Sequence, residues 1–231
     1  MCCTFGDQTD IAWYKKHKLP IKLCMTTYGK WAEQTGPLAG QTAEQARKTI
    51  LSLLATEGSL TEQKNITHAV AVHERCKQPI EYLVVPQWYI RVNEHKKALL
   101  ELGQQVTWIP GYMHSRYVDW VQNLAWDWCI SRQRFYGVPF PVWHCTGCAY
   151  VVTAPEGMLP VDPTESSAPI ATCPSCNGNI FVGETDVMDT WNISSLTPQL
   201  NHQSEPAVTM PMSLRPQAHD IIRTWAFYTI L

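Results

Sequence analysis

Residues 126–150, WDWCISRQRFYGVPFPVWHCTGCAY, hold the most informative pattern in the chain. The stretch combines three Trp, two Phe and two Tyr with a Ser-Arg-Gln-Arg run, two prolines and a terminal Cys-x-x-Cys. Arginines are rare in a buried strand, and a solvated loop seldom carries so many rings. The pattern therefore indicates a segment that contacts something other than its own core.

The cysteines at the end of this stretch belong to two pairs separated by 24 residues: Cys145 with Cys148, and Cys173 with Cys176. In a Cys-x-x-Cys turn both sulfurs face one point, and two such turns complete a tetrahedral sulfur site that suits zinc. Turn-forming residues accompany the pairs, namely Gly147, Pro174, Asn177 and Gly178. Four thiolates leave no open position, so the metal is expected to be structural. Redox or buried cysteines, and His144 as a substitute ligand, are the alternatives.

The composition is that of a weakly charged globular protein. The 231 residues are 45% hydrophobic and 16% charged, with a formal net charge of −2. This length allows one large domain or parts of two or three, and the low charge argues against a general nucleic-acid coat. Nine cysteines, five of them scattered, favour a reducing compartment, so a cytoplasmic location is expected. Neither a long apolar run nor a secretory signal is found, so no membrane contact is expected.

Capping residues and hydrophobic spacing predict four helices. Asp7 and Asp10 suit the start of the first, and Thr42 and Gln45 have the spacing of a capping box for the second. Apolar residues then recur at helical intervals. The predicted ranges are 7–18, 43–57, 113–124 and 219–231.

Strand-like segments alternate with these helices. Residues 21–29 indicate a strand and turn, and residues 81–92 a strand interrupted by Pro86. Residues 145–183 are rich in turns with short strands, and the DVMDTW segment at 186–191 is expected to lead into a Ser/Thr/Pro loop. The alternation favours an α/β architecture.

Five blocks of sequence carry a resemblance to a known family: CTFGDQTDIAWYKKHKLP (3–20), VHERCKQPIEYLVVPQWYI (72–90), CISRQRFYGVPFPVWHC (129–145), DVMDTWNISSLTP (186–198) and LRPQAHDIIRTWAFYTIL (214–231). In this order, and across essentially the whole chain, they resemble the valyl-tRNA synthetases in their archaeal form. The isoleucyl-tRNA synthetases share a block similar to ISRQR.WGVP. The HERC segment, and DTW followed by SS and TP, favour the valyl family.

The resemblance implies a class I aminoacyl-tRNA synthetase, in which an inserted editing domain interrupts a Rossmann-type catalytic core. It assigns residues 1–78 to the C-terminal part of the editing domain, 79–143 to the return into the core, 144–184 to a zinc-binding knuckle and 185–231 to part of the core. The family's HIGH-like and KMSKS-like ATP-binding signatures have no counterpart in the sequence and are expected before and after this chain. The chain is thus expected to be an internal piece that is inactive alone.

The resemblance also implies roles for single residues of the core. Tyr136 and Trp191 match the aromatic walls of the valine pocket, although many relatives carry Trp at the position of Tyr136. Asp186 matches an acid on the adenylate side, and Asp220 matches the aspartate that contacts the ATP ribose. The alternative for the two rings is core packing. For Asp220, and for Asp189 three positions after Asp186, the alternative is helix capping.

Two arginines and two further aspartates complete the candidate site residues. Arg132 and Arg134 present planar donors that suit tRNA or adenylate phosphate, and surface or structural ion pairing explains them equally well. On the editing side, the resemblance assigns Asp10 to the ammonium of misattached threonine and Asp7 to its hydroxyl. A second site is needed because a pocket that selects valine excludes isosteric threonine only weakly. The alternative for Asp10 is stabilisation of its own helix.

For the whole protein, the resemblance implies ATP-dependent attachment of valine to its tRNA through valyl-adenylate, with hydrolysis of mischarged Thr-tRNA. The implied partners are tRNA(Val), valine, and ATP with Mg. Two other hypotheses are a non-catalytic zinc-ribbon module that docks nucleic acid or protein, and a free editing hydrolase. The low charge argues against the module, and the missing upstream half of the editing pocket argues against the hydrolase.

Overall fold

The computed structural model describes residues 8–205, 207 and 209–231. The chain divides into two compact units, Met1–Pro86 and Gln87–Leu231. Asp7, which is expected at a helix start, lies outside the described residues. Within the described ranges, no helix has the length and apolar character needed to cross a bilayer.

In its described part, residues 8–86, the first unit contains two α-helices, α1 (Gln8–His17) and α2 (Ala43–Thr56). The predicted capping box of α2 is confirmed, because the Thr42 N–H donates to Gln45 Oε1 at 2.9 Å and the Gln45 N–H donates to Thr42 Oγ1 at 3.4 Å. The strand predicted at 21–29 is reduced to a single bridge between Met25 and Trp31 around a turn. Helix α2 is therefore the best-defined element of this unit.

Among its described residues, the second unit contains seven short strands, all paired in antiparallel fashion. Strand β1 (Tyr89–Ile90) pairs with β2 (Trp128–Cys129), and β3 (Ser131–Arg132) pairs with β7 (Val187–Met188). A three-stranded sheet places β4 (Val142–Cys145) between β5 (Val151–Thr153) and β6 (Phe181–Gly183). The segment 145–183 is therefore turn-rich with short strands, as predicted.

Five α-helices accompany these strands in the second unit: α3 (Lys96–Gln105), α4 (Met113–Gln122), α5 (Thr190–Ser195), α6 (Thr197–Ser204) and α7 (Phe227–Ile230). Buried side chains of α3, α4 and α7 form one core together with three residues from outside the α-helices: Leu99, Tyr117, Val121 and Phe227 with Val92, Trp128 and Ile222. The ring of Tyr117 lies against Gly103, where a Cβ would collide with it. Trp128 also stacks on Tyr228, with ring centroids 3.5 Å apart and planes 6° from parallel. Strand β2 is thereby joined to α7.

Several sequence-based expectations differ from the structure. The prediction of a Ser/Thr/Pro loop after residue 191 is wrong, because α5 and α6 occupy 190–204. Pro198 is compatible with a helix here because it stands in the first turn of α6, where a missing N–H costs nothing. The predicted strand at 81–92 shrinks to Tyr89–Ile90. The helix predicted at 219–231 is a 3₁₀ turn (His219–Ile221) and a π-helical turn (Ile222–Ala226) before α7. Helix α3 has no counterpart among the predicted elements.

Candidate metal centre and surrounding site

Two turns of the same geometry hold the four cysteines. In the first, the Ala149 N–H donates to the Cys145 carbonyl at 2.8 Å, and in the second the Asn177 N–H donates to the Cys173 carbonyl at 2.9 Å. Ala149 and Asn177 both adopt the left-handed conformation, with φ of 56° and 59°. The two Cys-x-x-Cys segments are therefore equivalent knuckles that face each other.

The four sulfurs are gathered as a metal would require. Cys145 Sγ lies 3.5 Å from Cys176 Sγ, Cys148 Sγ lies 3.6 Å from Cys173 Sγ, and all four sulfurs lie within 4.8 Å of one another. Around a zinc ion with Zn–S bonds of about 2.3 Å, tetrahedral sulfurs would lie about 3.8 Å apart. The predicted cluster of four cysteines is thus present, and its dimensions fit a four-coordinate metal ion.

The electrostatics of the cluster also favour a cation. The Tyr150 N–H lowers the pKa of the Cys148 thiol to about 7. At Cys176 the Gly178 N–H lowers the pKa, but the nearby sulfurs of Cys148 and Cys145 outweigh it and raise the pKa to about 12. So many sulfurs cannot all be ionised at this separation unless a positive charge lies between them.

The knuckles are attached to the base of the three-stranded sheet. Cys145 is the last residue of β4, and the Cys145 N–H donates to the Tyr150 carbonyl at 2.9 Å. On the same strand, the buried indole of Trp143 donates to the Ser166 carbonyl at 2.9 Å, which fixes the long connection between β5 and β6. A metal ion bound by the four cysteines would therefore link the two knuckles to each other at the end of β4.

Arg132 forms an ion pair inside the second unit. Its Nη2 lies 3.0 Å from Asp189 Oδ1, and its Nη1 donates to the carbonyls of Cys129 at 3.0 Å and Ser131 at 2.7 Å. The Asp189 side chain is 8% exposed and the Arg132 side chain 36%. Within the part of the chain that the structure describes, Asp189 Oδ2 is buried without a hydrogen-bond partner. The contacts of Arg132 are thus those of a structural ion pair, which is one of the two interpretations of this residue.

Asp186 and Trp191 lie on either side of Asp189. Asp186 Oδ2 accepts a hydrogen bond of 2.7 Å from Gln133 Nε2, and the partly buried Trp191 packs against the core of the second unit. Helix α5, which carries Trp191, is fixed by the indole of Trp225, which donates to the Ser194 carbonyl at 2.9 Å. Asp186, Asp189 and Trp191 therefore each have a contact that holds them to other parts of the second unit.

Tyr136 lies at the tip of the loop after β3. Its side chain is 84% exposed and meets the 91% exposed Phe135 ring edge-on, with centroids 4.9 Å apart. Gly137 lies against Val187, so this loop is held close to β7. Tyr136 therefore presents its ring outward, while Trp191 is packed inward.

The other candidate residues lie at helix starts or on exposed loops. Asp10 is in the first turn of α1 and is partly buried. Asp220 is exposed in the 3₁₀ turn His219–Ile221, and Arg134 is exposed beside Tyr136. Their positions alone do not identify a ligand for any of these three residues.

One polar cluster near the knuckles, formed by Trp88, His144 and Glu184, was not predicted from the sequence. The Trp88 indole N–H donates to Glu184 Oε2 at 2.8 Å, and His144 Nε2 lies 3.0 Å from the same oxygen. A single glutamate in a turn-rich segment has no periodicity that would reveal it. Its position two residues before Asp186 was the available signal.

Comparison with known proteins identifies the class to which the chain belongs. A family model of the class I tRNA synthetases (I, L, M and V) matches residues 12–231. The chain therefore belongs to the class I tRNA synthetases.

Within this class the chain is similar to archaeal proteins named valine–tRNA ligase. It is 46% identical to that of Methanopyrus kandleri over 230 residues, which are 99% of this chain and 25% of the relative. It is 47% identical to that of Thermoplasma volcanium over 232 residues, covering 100% of this chain and 29% of the relative. The relative from Archaeoglobus fulgidus is 47% identical over 231 residues, with 100% and 26% covered. The chain thus spans about a quarter of the length of these curated relatives.

Proposed function

We propose that the chain is part of a valine–tRNA ligase that attaches valine to tRNA(Val) through valyl-adenylate, with ATP and Mg as co-substrate. The observation that carries the proposal is the identity of 46% to 47%, over essentially the whole chain, with three proteins of that name. The resemblance of the HERC and DTW segments to the valyl rather than the isoleucyl family supports the choice of amino acid. A cytoplasmic location accords with the many reduced cysteines.

The four-cysteine cluster is proposed to hold one structural zinc ion. Zinc favours four-coordinate tetrahedral sites with thiolate ligands, and the sulfur separations of 3.5 Å and 3.6 Å suit that geometry. With four protein ligands no position is left for substrate, so the ion would stabilise the sheet β4–β6 rather than take part in the reaction.

The second unit is proposed to contribute one side of the valyl-adenylate site. Trp191 and Tyr136 would form walls against the branched valine side chain, whose affinity depends on close apolar contact. Asp186 would accept a hydrogen bond on the adenylate side, and Asp220 would contact the ribose. Of the two arginines, Arg134 is the better phosphate contact, because Arg132 is already paired with Asp189.

The first unit is proposed to belong to an editing domain that hydrolyses Thr-tRNA. Asp10, at the start of α1, would hold the ammonium group of the misattached threonine. Asp7 would accept a hydrogen bond from the threonine hydroxyl. The proposed domain limits remain 1–78 for editing, 79–143 for the return into the core, 144–184 for the knuckle and 185–231 for the core.

The full-length protein containing this chain would test the proposal by amino-acid-dependent ATP–pyrophosphate exchange. We expect exchange with valine, weak exchange with threonine and transfer of valine to tRNA(Val), because threonine is nearly isosteric with valine. Exchange that prefers isoleucine would indicate an isoleucyl enzyme instead. Nucleic-acid binding without any exchange would favour a non-catalytic zinc-ribbon module.

A further inference from the structure

Glu184 occupies the junction between β6 and β7, and its carboxylate is the acceptor for several groups at once. Oε1 accepts from the backbone N–H groups of Thr185 at 2.8 Å and Asp186 at 2.9 Å. Oε2 accepts from the indole N–H of Trp88 at 2.8 Å and lies 3.0 Å from His144 Nε2. The side chain is 15% exposed. The carboxylate therefore holds both its own loop and two other segments.

These other segments are distant in sequence. Trp88 stands 96 residues before Glu184, directly before β1, and His144 stands 40 residues before it, beside the first metal-ligand candidate on β4. The Trp88 ring stacks on Phe140 with a centroid distance of 5.7 Å and leans on His144 at 6.0 Å. Thus one side chain joins the segment before β1, the knuckle sheet and the loop that leads to β7.

The carboxylate is held in its charged form. Burial raises the pKa of Glu184, but the Asp186 N–H, the Trp88 indole and the other donors lower it by more, so the net direction is downward. Hydrogen bonds to a charged acceptor are stronger than those between neutral groups. The loop is thus fixed by strong contacts at its first two peptide groups.

The geometry after Glu184 leaves little freedom for the chain. Asp186 follows within two residues, β7 then pairs with β3, and Asp189 is held by Arg132. Because the peptide N–H groups of Thr185 and Asp186 are tied to Glu184, the direction in which the Asp186 side chain leaves the backbone depends on that carboxylate. A hydrogen bond weakens steeply once its acceptor moves out of range, so the affinity for ATP depends on where the Asp186 carboxylate lies.

We propose that Glu184 is a positioning residue, which fixes Asp186 relative to the Trp88 segment and the knuckle sheet so that Asp186 can meet the adenylate. The inference rests on the proposed function and adds to it a residue that makes no contact with substrate. A purely structural Glu184 would act only on stability and metal content. Measurement of KM and kcat distinguishes the positioning role from the purely structural role.

The experiment compares Glu184→Ala, Glu184→Gln and the matched control Glu156→Gln, an exposed glutamate of the same turn-rich segment, in valine-dependent ATP–pyrophosphate exchange by the full-length protein. Glu184→Ala should raise KM for ATP about tenfold while kcat falls less than about threefold, with the metal content unchanged. Glu184→Gln keeps an oxygen for the two loop N–H groups and should recover most of the loss. Glu156→Gln should behave as the unsubstituted protein.

The proposal is overturned if Glu184→Ala leaves KM and kcat within about twofold, or if its loss is confined to metal content and the active fraction. If Glu184→Ala fails to fold, Trp88→Phe decides, because it removes the indole N–H that holds Glu184 Oε2. It should raise KM for ATP severalfold with kcat and metal content little changed, whereas values of KM and kcat within about twofold overturn the proposal. Absence of valine-dependent exchange in the unsubstituted protein would contradict the proposed function itself. This outcome is distinct from a failure of the proposal for Glu184.

Discussion

Arg132 shows how much a single side chain depends on its surroundings. In sequence it is one of two arginines that suit phosphate equally well, but in the structure it is paired with the buried Asp189 and two carbonyls. Arg134, two residues further on, is exposed. Two residues of the same type, two positions apart in the chain, thus have different surroundings.

This contrast gives a matched pair of variants. Arg132→Ala should lower the free energy of unfolding by about 3 kcal/mol, because it leaves the buried carboxylate of Asp189 without its cation. Arg134→Ala should change it by less than about 0.5 kcal/mol, as expected for an exposed side chain. Urea titration of both variants checks the difference, and equal losses would contradict a structural role for Arg132.

Gly137 is restricted by the packing of its neighbour. A Cβ at this position would lie 2.5 Å from Val187 Cγ2, so Gly137→Ala should lower the free energy of unfolding by about 1–3 kcal/mol. Gly157 has open space around it and serves as the control, where alanine should be neutral or slightly stabilising. Thermal unfolding measures both, and equal stability of the two alanine variants would contradict a steric restriction at Gly137.

At the scale of elements, the cysteine knuckles are the part of the second unit that depends on an ion. Elemental analysis should find about one zinc ion per chain, and chelation or a Cys173→Ser, Cys176→Ser double variant should remove it. Loss of the metal should loosen β4–β6, because the metal–sulfur bonds that would join the two knuckles are then absent. Cys76→Ser, at an exposed cysteine outside the cluster, is the control and should retain the metal. Full zinc content in the double variant would exclude this site.

How much of each element could be predicted from sequence depends on how local its cause is. Helix α2 and the knuckles were predictable, since Thr42 with Gln45, and the paired cysteines, act through neighbours a few residues away. Helices α5 and α6 were not, because Ser, Thr and Pro are typical of loops and only tertiary contacts, such as Trp225 on Ser194, select the helix. The partners of Glu184 were likewise not predictable from local sequence, since they are 40 and 96 residues distant.

At the scale of the whole molecule, the proposed functions of the two units can be tested separately. Trp191 lies in the second unit and is assigned to the valine pocket. Trp191→Ala in the full-length protein should lower kcat/KM for valine activation by about 10- to 100-fold, because it opens a void beside the substrate side chain. Pyrophosphate exchange at varied valine concentration measures this. An unchanged kcat/KM for valine would indicate that Trp191 serves only in packing of the core.

Asp10 lies in the first unit and is assigned to editing. Asp10→Asn retains some capacity to stabilise a helix start but loses the charge that would bind the ammonium of threonine. The variant should activate valine normally while Thr-tRNA accumulates. Deacylation of Thr-tRNA at the parental rate would refute the assignment, and a drop in stability alone would point to the helix.

The stack of Trp128 on Tyr228 gives the second unit an optical reporter. Rings that lie 3.5 Å apart and within 6° of parallel share their electronic transitions, so their circular dichroism in the near ultraviolet depends on their mutual orientation. Near-ultraviolet dichroism is lost when side chains lose fixed packing, even where helices persist. Because Trp128 is on β2 and Tyr228 is on α7, this band reports whether the last helix is docked on the strand, with no need for substrate, tRNA or metal.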